Sequence, residues 1–414
     1  MRPILPFALL LAACAPEDGA GEPDDDGRFS VVVIPDTQVY AQHHPEVFAR
    51  HLQWIVDHAE EHRIVFVSHV GDVVEHANNA DHWQAAVQAF APLRAADLPH
   101  GISVGAHDFA GAGPFDREVD SSCSPFDDGD GWPNVDCAFG EFLQHFGPAT
   151  YADRPWYRGA SPSGHSSYQV VEAGGMELLF LHLPQDPPEA EVVWGNEVLD
   201  AHPHTLAHLT THRYLFDYRL TEALPPPLDL FVAGRFNAAT YAIGGQVPMF
   251  HDSVEADDLF TRLVAPHPNV WSVHCGHVDA EFRQEAVNER GLPVQEILVD
   301  FQDMADGGGG FLRLLTYLPE EDRVEVYTVS TETGELRENG DGFEHSIDIL
   351  AAYREQAASL LETFGIDEAE ADQLFADVRG PTELRQQYYD SLYGEGARDS
   401  RFALDVDFDA YLGR

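Results

Sequence analysis

The sequence predicts a mixed α/β sandwich, in which helices cover sheets of both parallel and antiparallel strands. In the first half of the chain, short apolar runs typical of strands alternate with amphipathic helical segments, which favours a parallel sheet. In the second half, short strands separated by glycine-rich turns favour antiparallel pairing. The chain has 414 residues and is 44% hydrophobic, which is enough for one large core or two modest ones.

The predicted elements follow from the spacing of the apolar residues. Strands are predicted at Phe29–Ile34, Ile64–Val70, Gly101–Val104, Tyr168–Leu183 (with an internal Gly-Gly turn), Thr205–Thr210, Leu228–Ala233, Asn269–Cys275, Val294–Phe301, Phe311–Tyr317 and Arg323–Ser330. Helices are predicted at Pro45–Glu61, Asp81–Ala96, Glu189–Ala201 and Val254–Val264. Pro45 suits a first helical turn, because the N–H that proline lacks would have no partner there.

The two ends of the chain differ in composition from the middle. Residues 1–14 read as a lipoprotein signal peptide, with an apolar run too short to span a membrane before Cys14; a plain signal peptide is the alternative. Residues 15–28 form an acidic, flexible tether, and the main domain is predicted at 29–340. Residues 345–414 are predicted to be a helical C-terminal extension. Its helices are expected at Asp348–Phe364, Glu368–Val378 and Glu383–Tyr393.

The charge of the chain limits its partners. The formal net charge is −48, and all 23 basic residues are arginines. Such a surface repels nucleic acid and anionic membranes, so no nucleic acid is expected as a partner, and membrane contact is expected only through a lipid anchor at Cys14. We therefore expect an exported lipoprotein of the cell envelope, periplasmic or on the outer surface. Export also favours a disulfide between Cys123 and Cys137, whereas Cys275 reads as a small buried side chain.

Side chains suited to metal binding or acid–base chemistry follow five of the predicted strands. They are Asp36 and Gln38 in IPDTQ, Asp72 in HVGDVV, His107 and Asp108 in GAHD, His212 in TTHRYL, and His277 and Asp279 in CGHVD. Because ligands of open α/β sheets bind beyond the carboxyl ends of the strands, these side chains are expected to meet at one site. Taken singly, an aspartate here could equally be a helix N-cap and the lone histidine a core residue.

The order of these motifs resembles that of calcineurin-like metallophosphoesterases, in the bacterial variant where glutamine replaces the first histidine. The resemblance covers about residues 29 to 331 and includes RPWYRG, HPNVWSVHCGHV and the glycine-rich turn before FLRLLTY. It implies a four-layer α/β/β/α sandwich of mixed sheets. It also implies hydrolysis of a phosphomonoester or phosphodiester by a metal-activated water, on a phosphoester small molecule or nucleotide-like substrate.

The resemblance further implies two sets of metal ligands that share the bridging Asp72. The first set is Asp36, Gln38, Asp72 and Asp279; the second is Asp72, His212 and His277, with Ala106 where the family has an asparagine. His107 matches the catalytic histidine, which contacts the phosphoryl group or protonates the leaving oxygen.

Two residues depart from the family pattern. Ala106 offers no oxygen to the second metal, and Asp279 replaces a histidine nitrogen with a carboxylate. The first ligand set is therefore all oxygen, which favours Mn²⁺ or Mg²⁺, with Ca²⁺, iron or Zn²⁺ as alternatives and one or two ions per chain. The departures also support a second hypothesis, a catalytically impaired metal-binding surface lipoprotein that binds a ligand or partner.

Other polar residues near the motifs carry two interpretations each. His69 and His274 lie inside strands, and could be core residues or could support the metal ligands. His182 ends a strand and could replace a missing ligand. Arg213 could bind a substrate phosphate with two hydrogen bonds or could form an ordinary surface salt bridge.

Substitution of Cys14 by serine tests the lipid anchor. Cys14→Ser should move the protein from the membrane fraction to the soluble fraction, because serine cannot replace the cysteine that would carry the lipid. The several acyl chains of a lipoprotein hold it on a membrane far more firmly than one chain would. The measurement is fractionation followed by immunoblotting, with Cys123→Ser as the control that removes a cysteine outside the signal. Exported wild-type protein in the soluble fraction would show that the lipoprotein hypothesis is wrong.

Overall fold

The computed structural model describes residues 26–109, 140–217, 233–236, 249–250, 252–302, 304–337 and 400–414. The predicted signal peptide, nearly all of the tether, Cys123, Cys137 and the three predicted C-terminal helices lie outside these residues. Cys275 is buried and has a free thiol, as predicted. Within the described ranges, no helix has the length and apolar character needed to cross a membrane.

The strands form two large mixed sheets and a small ribbon. The first sheet contains, in spatial order, β15 (Arg401–Asp405), β14 (Arg323–Ser330), β13 (Phe311–Leu318), β1 (Phe29–Ile34), β2 (Ile64–His69) and β3 (His100–Ile102). The second contains β11 (Ala280–Val287), β12 (Pro293–Asp300), β10 (Val270–Cys275), β7 (Leu206–Thr210), β6 (Met176–His182), β5 (Ser167–Ala173) and β4 (Tyr157–Ala160). The ribbon pairs β8 (Leu215–Asp217) with β9 (Ala233–Arg235).

The parallel pairs lie at one end of the first sheet, where β3 is the edge strand, and in the middle of the second sheet. β1 and β3 both run parallel to β2, while β6 and β10 both run parallel to β7, and β12 runs parallel to β10. The remaining pairs are antiparallel, so both sheets are mixed, as the sequence predicts. The consequence is that β1, β2, β7 and β10 present their carboxyl ends at one edge of the sandwich.

Helices cover both outer faces. They are α1 (Gln38–His43), α2 (Pro45–Asp57), α3 (Ala80–Ala95), α4 (Gly140–Phe146), α5 (Pro148–Tyr151), α6 (Glu189–Ala201) and α7 (Ala256–Leu259), which continues as a π-helical turn (Phe260–Val264). A further helix, α8 (Phe408–Leu412), packs instead against the apolar cluster between the sheets. Phe48 of α2 and Phe90 of α3 pack on the first sheet, and Leu199 of α6 packs on the second. Between the sheets the rings of Phe66 and Phe180 stack with centroids 3.6 Å apart. The four-layer α/β/β/α order is therefore the one predicted.

The end of the chain belongs to the main sandwich. β15 pairs antiparallel with β14, and Tyr411 and Leu412 are buried in the apolar cluster between the sheets. The predicted helical extension therefore does not hold for residues 400–414. Phe402, Leu404 and Val406 alternate with polar residues, and this period-2 pattern suits a strand added to the edge of β14.

A buried carboxylate ties this end of the chain to both sheets. Glu281 of β11 accepts hydrogen bonds from Arg313 Nη2 at 3.1 Å, Arg337 Nε at 2.8 Å and Thr328 Oγ1 at 2.6 Å, and also from the Ser400 hydroxyl. The side chains of Glu281 and Arg313 are each 1% exposed. Loss of any one partner would leave a buried charge or polar group uncompensated, which is costly. The network therefore fixes β11 against the first sheet.

Neutral histidines occupy the sandwich interior. His182 forms a hydrogen bond with Ser68 at 2.9 Å, and His208 forms one with Ser272 at 2.9 Å. Burial lowers the pKa of His69, His182 and His274 to about 3 and that of His51 and His100 to about 4. These rings are therefore uncharged at neutral pH.

We expect the protein to lose stability as the pH falls from about 6.5 to about 4. In the folded state these five histidines have a pKa below the ordinary value of 6.5, so the unfolded chain binds more protons in this window. Each contributes at most about 1.4 kcal/mol per pH unit to the loss of unfolding free energy. Asp108, whose pKa burial raises to about 7, acts in the opposite direction, as do Asp36 and Glu75, whose pKa values burial also raises. These carboxyl groups are fewer than the buried histidines, because the pKa values of His208 and His277 are lowered as well.

Urea denaturation at several pH values, with a chelator present throughout, measures this dependence. Replacement of the buried His182 by asparagine should reduce the slope of stability against pH, whereas replacement of the exposed His204 by asparagine should leave it unchanged. An unfolding free energy that stays level or rises between pH 6.5 and 4 would contradict the assignment.

Candidate metal centre

The candidate centre lies where four strand ends meet. Asp36 follows β1, Asp72 follows β2, His212 follows β7 and His277 follows β10. Asp36 and Asp72 are 1% exposed and His212 is fully buried. Asp72 and His277 take positive φ angles of 50° and 74°, which non-glycine residues adopt at a cost and which concentrate at functional sites.

The structure brings together the three residues of the second predicted ligand set. Asp72, His212 and His277 each offer a ligand atom, and these atoms lie within 4.8 Å of one another. Across the described ranges, no other group of three or more histidine, cysteine or acidic residues meets this condition. The constellation predicted from strand ends is therefore spatially contiguous at its centre.

The residues of the first predicted set lie around the same centre. Asp36 Oδ2 is 3.8 Å from His212 Nε2, and Gln38 Nε2 is 3.4 Å from Asp72 Oδ2. Asp279 is half-buried, and its charge is one of those that raise the pKa of Asp36. It lies outside the group of three whose ligand atoms converge.

Two atoms of the centre have the properties of metal ligands. His212 Nδ1 donates to the Val70 carbonyl at 3.2 Å, so an uncharged ring would carry its lone pair on Nε2, which lies 3.0 Å from Asp72 Oδ2. An octahedral ion with bonds of about 2.1 Å separates neighbouring ligands by about 3 Å. His212 Nε2 and Gln38 Oε1 are buried without a hydrogen-bond partner in the protein. Buried polar atoms are nearly always satisfied, so the donor set fits a cation.

The charges of the buried carboxylates also favour a bound cation. Burial, followed by the charges of Asp300 and Asp72, raises the pKa of Asp36 well above its usual range. Burial also acts to raise the pKa of Asp72, but His212 and His107 outweigh it and hold that pKa below its usual value. Packing these carboxylates together is unfavourable unless a positive charge is added, and a divalent cation supplies it.

Asp300 is a member of this acidic group that the motifs did not reveal. It ends β12, is fully buried, and accepts hydrogen bonds from the backbone N–H of Gln302 at 3.0 Å and from the Gln302 side chain at 3.1 Å. The available signal was an aspartate closing the apolar run ILVD, the same strand-end pattern that identified the other acids.

His107 stands at the exposed side of the centre. Its backbone N–H donates to Asp72 Oδ1 at 2.8 Å and its ring Nδ1 donates to the Glu75 carbonyl at 2.9 Å, while the side chain is 40% exposed. Burial acts to lower the pKa of His107, but the Asp72 and Glu75 carboxylates raise it to about 9. The ring is therefore protonated at neutral pH and offers Nε2–H to solvent.

Neighbouring residues hold the loops. Asp108 accepts backbone N–H groups from Val73, Val74 and Gly105 at 2.8 to 3.1 Å, which joins the loops after β2 and β3. His69 bonds Thr37 Oγ1 at 3.0 Å and accepts the Gly71 N–H at 3.1 Å, which joins the loops after β1 and β2.

The other residues with two interpretations lie apart from the converging ligand atoms. Ala106 packs against the apolar cluster beneath the first helices. His182 bonds Ser68 and His274 bonds Ser272, and neither belongs to the group of ligand atoms. The surface interpretation of Arg213 is wrong, because this residue is only 5% exposed.

Two glycines leave room for the carboxylates. A Cβ on Gly276 would lie 2.0 Å from Asp36 Oδ1, and a Cβ on Gly105 would lie 2.1 Å from Asp72 Oδ1. No side chain fits at either distance, so each aspartate can occupy its position only beside a glycine. This explains the glycine in CGHVD and the first residue of GAHD.

The fold and the centre define a class of protein, a two-sheet α/β sandwich with a buried carboxylate–histidine site suited to a divalent cation. No known protein-family model matches the chain. Among curated proteins, the chain is 24% identical over 314 residues to the Uncharacterized protein YvnB of Bacillus subtilis. The match covers 74% of this chain and 20% of YvnB, so the chain spans about a fifth of the length of that relative.

Several solved structures are similar to the chain. A purple acid phosphatase from yellow lupin (Lupinus luteus) seeds has a TM-score of 0.42 and 12% identity, over 75% of this chain and 52% of that one. A dimetal phosphatase from Danio rerio has a TM-score of 0.41 and 12% identity, over 73% and 96%. GAP50 of Plasmodium has a TM-score of 0.39 and 9% identity, over 79% and 95%. Two of these three are phosphatases by name.

Gly276→Ala tests the steric argument. Gly276 lies outside the left-handed region, so alanine is allowed by the backbone; its Cβ would displace the Asp36 carboxylate and would also lie 2.6 Å from Val70 Cγ2. We expect affinity for Mn²⁺ to fall roughly 10- to 100-fold, as for other changes that misplace a ligand. Isothermal titration calorimetry measures the affinity, with Gly140→Ala as the control, since a Cβ there contacts nothing within 4 Å. Equal affinities in the two variants would refute the argument.

Proposed function

We propose that the chain is a metal-dependent phosphoesterase that hydrolyses a phosphomonoester or phosphodiester. The observation that carries the proposal is the convergence of Asp72, His212 and His277, together with a buried His212 Nε2 that has no hydrogen-bond partner in the protein. When bound in such a site, divalent cations stabilise charge on the phosphoryl group and lower the pKa of the attacking water.

The residues of the chain take distinct roles in this proposal. Asp36, Gln38, Asp72 and Asp279 would hold one ion; Asp72, His212 and His277 would hold the other. The backbone N–H of His107 donates to Asp72, and the His107 side chain is 40% exposed. It is therefore suited to donate a hydrogen bond to a phosphoryl oxygen or a proton to the leaving oxygen. The oxygen-rich donor set supports Mn²⁺ or Mg²⁺.

We also propose that the protein acts at the cell envelope, attached through Cys14. The support is the signal-like sequence before Cys14 and the acidic tether that follows it. A phosphoester small molecule or a nucleotide-like compound is the proposed substrate, because the net charge of −48 disfavours binding of nucleic acid polymers.

The alternative is a surface lipoprotein that binds a cation and a partner without catalysis. One observation favours it: Ala106 packs against an apolar cluster and supplies no ligand atom to the centre. A substitution series that restores or removes ligands distinguishes the two functions.

Asp279 and Ala106 should respond oppositely to substitution. Asp279→Ala removes a carboxylate from the first ligand set, so metal content and hydrolysis should both fall at least 10- to 100-fold. Ala106→Asn adds an amide oxygen and should raise occupancy of the second site and the rate of hydrolysis. Asp279→His should shift the preference towards Zn²⁺, because a nitrogen replaces an oxygen. Metal analysis and turnover of an aryl phosphate with each divalent ion provide the measurements.

Two outcomes would contradict these assignments. Unchanged metal stoichiometry in Asp279→Ala would remove Asp279 from the ligand set. An Ala106→Asn protein that gains a second ion yet hydrolyses nothing would favour the alternative function. Asp81→Ala, in the exposed first turn of α3 and outside both predicted ligand sets, is the control for a lost carboxylate.

A further inference from the structure

Arg213 is a buried cation beside the candidate centre. It directly follows His212 in the chain and is 5% exposed. The chain carries a net charge of −48 and has no lysine, so its surface repels a phosphate ester. A cation held close to the centre is what such a chain needs to bind an anionic substrate.

Asp186 orients the guanidinium of Arg213. Arg213 Nε donates to Asp186 Oδ1 at 3.1 Å, and Nη2 donates to Asp186 Oδ2. This two-point contact fixes the plane of the guanidinium as well as its position.

Asp186 is itself rigidly placed. Its Oδ2 also accepts the Met249 N–H at 3.2 Å, and its φ angle is 46°. The loop before it is tied to the strand ends that carry the centre: the Gln185 N–H donates to the Val104 carbonyl at 2.7 Å, and the Thr211 hydroxyl donates to the Pro184 carbonyl at 2.9 Å. The strained aspartate is thus held by the same loops as the ligands.

The guanidinium lies on the His277 side of the centre. Arg213 Cζ is 5.8 Å from the ring centroid of Phe236, and that ring is 6.0 Å from the ring of His277. Burial, then His212, then Arg213 lower the pKa of His277, which agrees with a positive charge close to that ring.

We propose that Arg213 is a substrate-binding residue that contacts a phosphoryl oxygen at the centre, and that Asp186 is its positioning residue. The proposal rests on the proposed function and specifies its ligand as a phosphate or phosphate monoester dianion. Guanidinium groups bind such anions through paired hydrogen bonds in a fixed plane, which a lysine ammonium cannot reproduce.

The test is binding of inorganic phosphate to the full-length, Mn²⁺-loaded protein by isothermal titration calorimetry. Arg213→Gln should weaken phosphate binding roughly 10- to 100-fold, the usual range for a lost hydrogen bond to a charged group. Arg213→Lys should weaken it less, because the charge remains. Asp186→Asn should raise the KM for an aryl phosphate more than it lowers kcat. Metal content and melting temperature are measured for each variant.

Arg235→Gln is the matched control. Arg235 is also an arginine paired with a buried carboxylate, since its Nε donates to Glu296 at 2.7 Å, and its side chain is 16% exposed. The Arg235→Gln variant should have a lower melting temperature than the wild-type protein but the same affinity for phosphate. If Arg213→Gln does not fold, the folded Arg213→Lys protein with wild-type phosphate affinity overturns the proposal.

The outcomes separate this proposal from the proposed function. Phosphate binding that depends on Arg213 in a protein that hydrolyses no ester supports the inference and refutes the phosphoesterase. Hydrolysis with an unchanged KM in Arg213→Gln refutes the inference alone. Wild-type protein that takes up Mn²⁺ but binds no phosphate also overturns the inference.

Discussion

The burial of mutually repelling carboxylates is the constraint on which the structure depends. Asp36, Asp72 and Asp300 are each 1% exposed or less, and each is held by the end of a different strand. Their desolvation and mutual repulsion would destabilise the fold if no positive charge met them. The features around them reduce that cost or prepare for a cation: Gly276 and Gly105 leave space, backbone N–H groups bind the oxygens, and His212 presents a lone pair.

Buried carboxylates elsewhere in the sandwich are stabilised by protein side chains. Glu281 is buried to the same degree, but Arg313 and Arg337 neutralise it, so it links elements instead of binding a ligand. Glu296 is similarly met by Arg235 and by the Tyr214 hydroxyl. In both of these pairs the carboxylate links elements of the fold. At the strand ends, His212 and His277 replace arginine as the nearest basic groups, which is the arrangement that leaves room for an ion.

Much of the fold and of the site could be predicted because both rest on local patterns. β1 coincides with an apolar run and β14 with an alternating pattern, and the ligand motifs follow strands whose direction was set by the alternating helices. The edge strand β11 was missed because AEFRQEAV is largely polar, and its pairing depends on β12. Asp300 was missed although it closes the apolar run ILVD, and the burial of Arg213 was missed because it depends on how distant loops pack. A sequence pattern identifies residues at a strand end, but it does not show which of them share a cavity.

The direction of β1 has a practical consequence. This strand is about 20 Å long and runs from Phe29, at one end of the sandwich, towards Asp36 at the other. A bilayer, a resin or a sensor chip joined to the residues before Phe29 would therefore face the end of the sandwich opposite the acidic cluster of Asp36, Asp72 and Asp300. Immobilisation through that terminus would leave the cluster open to the bulk solution, whereas coupling through the loops after β2, β7 or β10 would obstruct it.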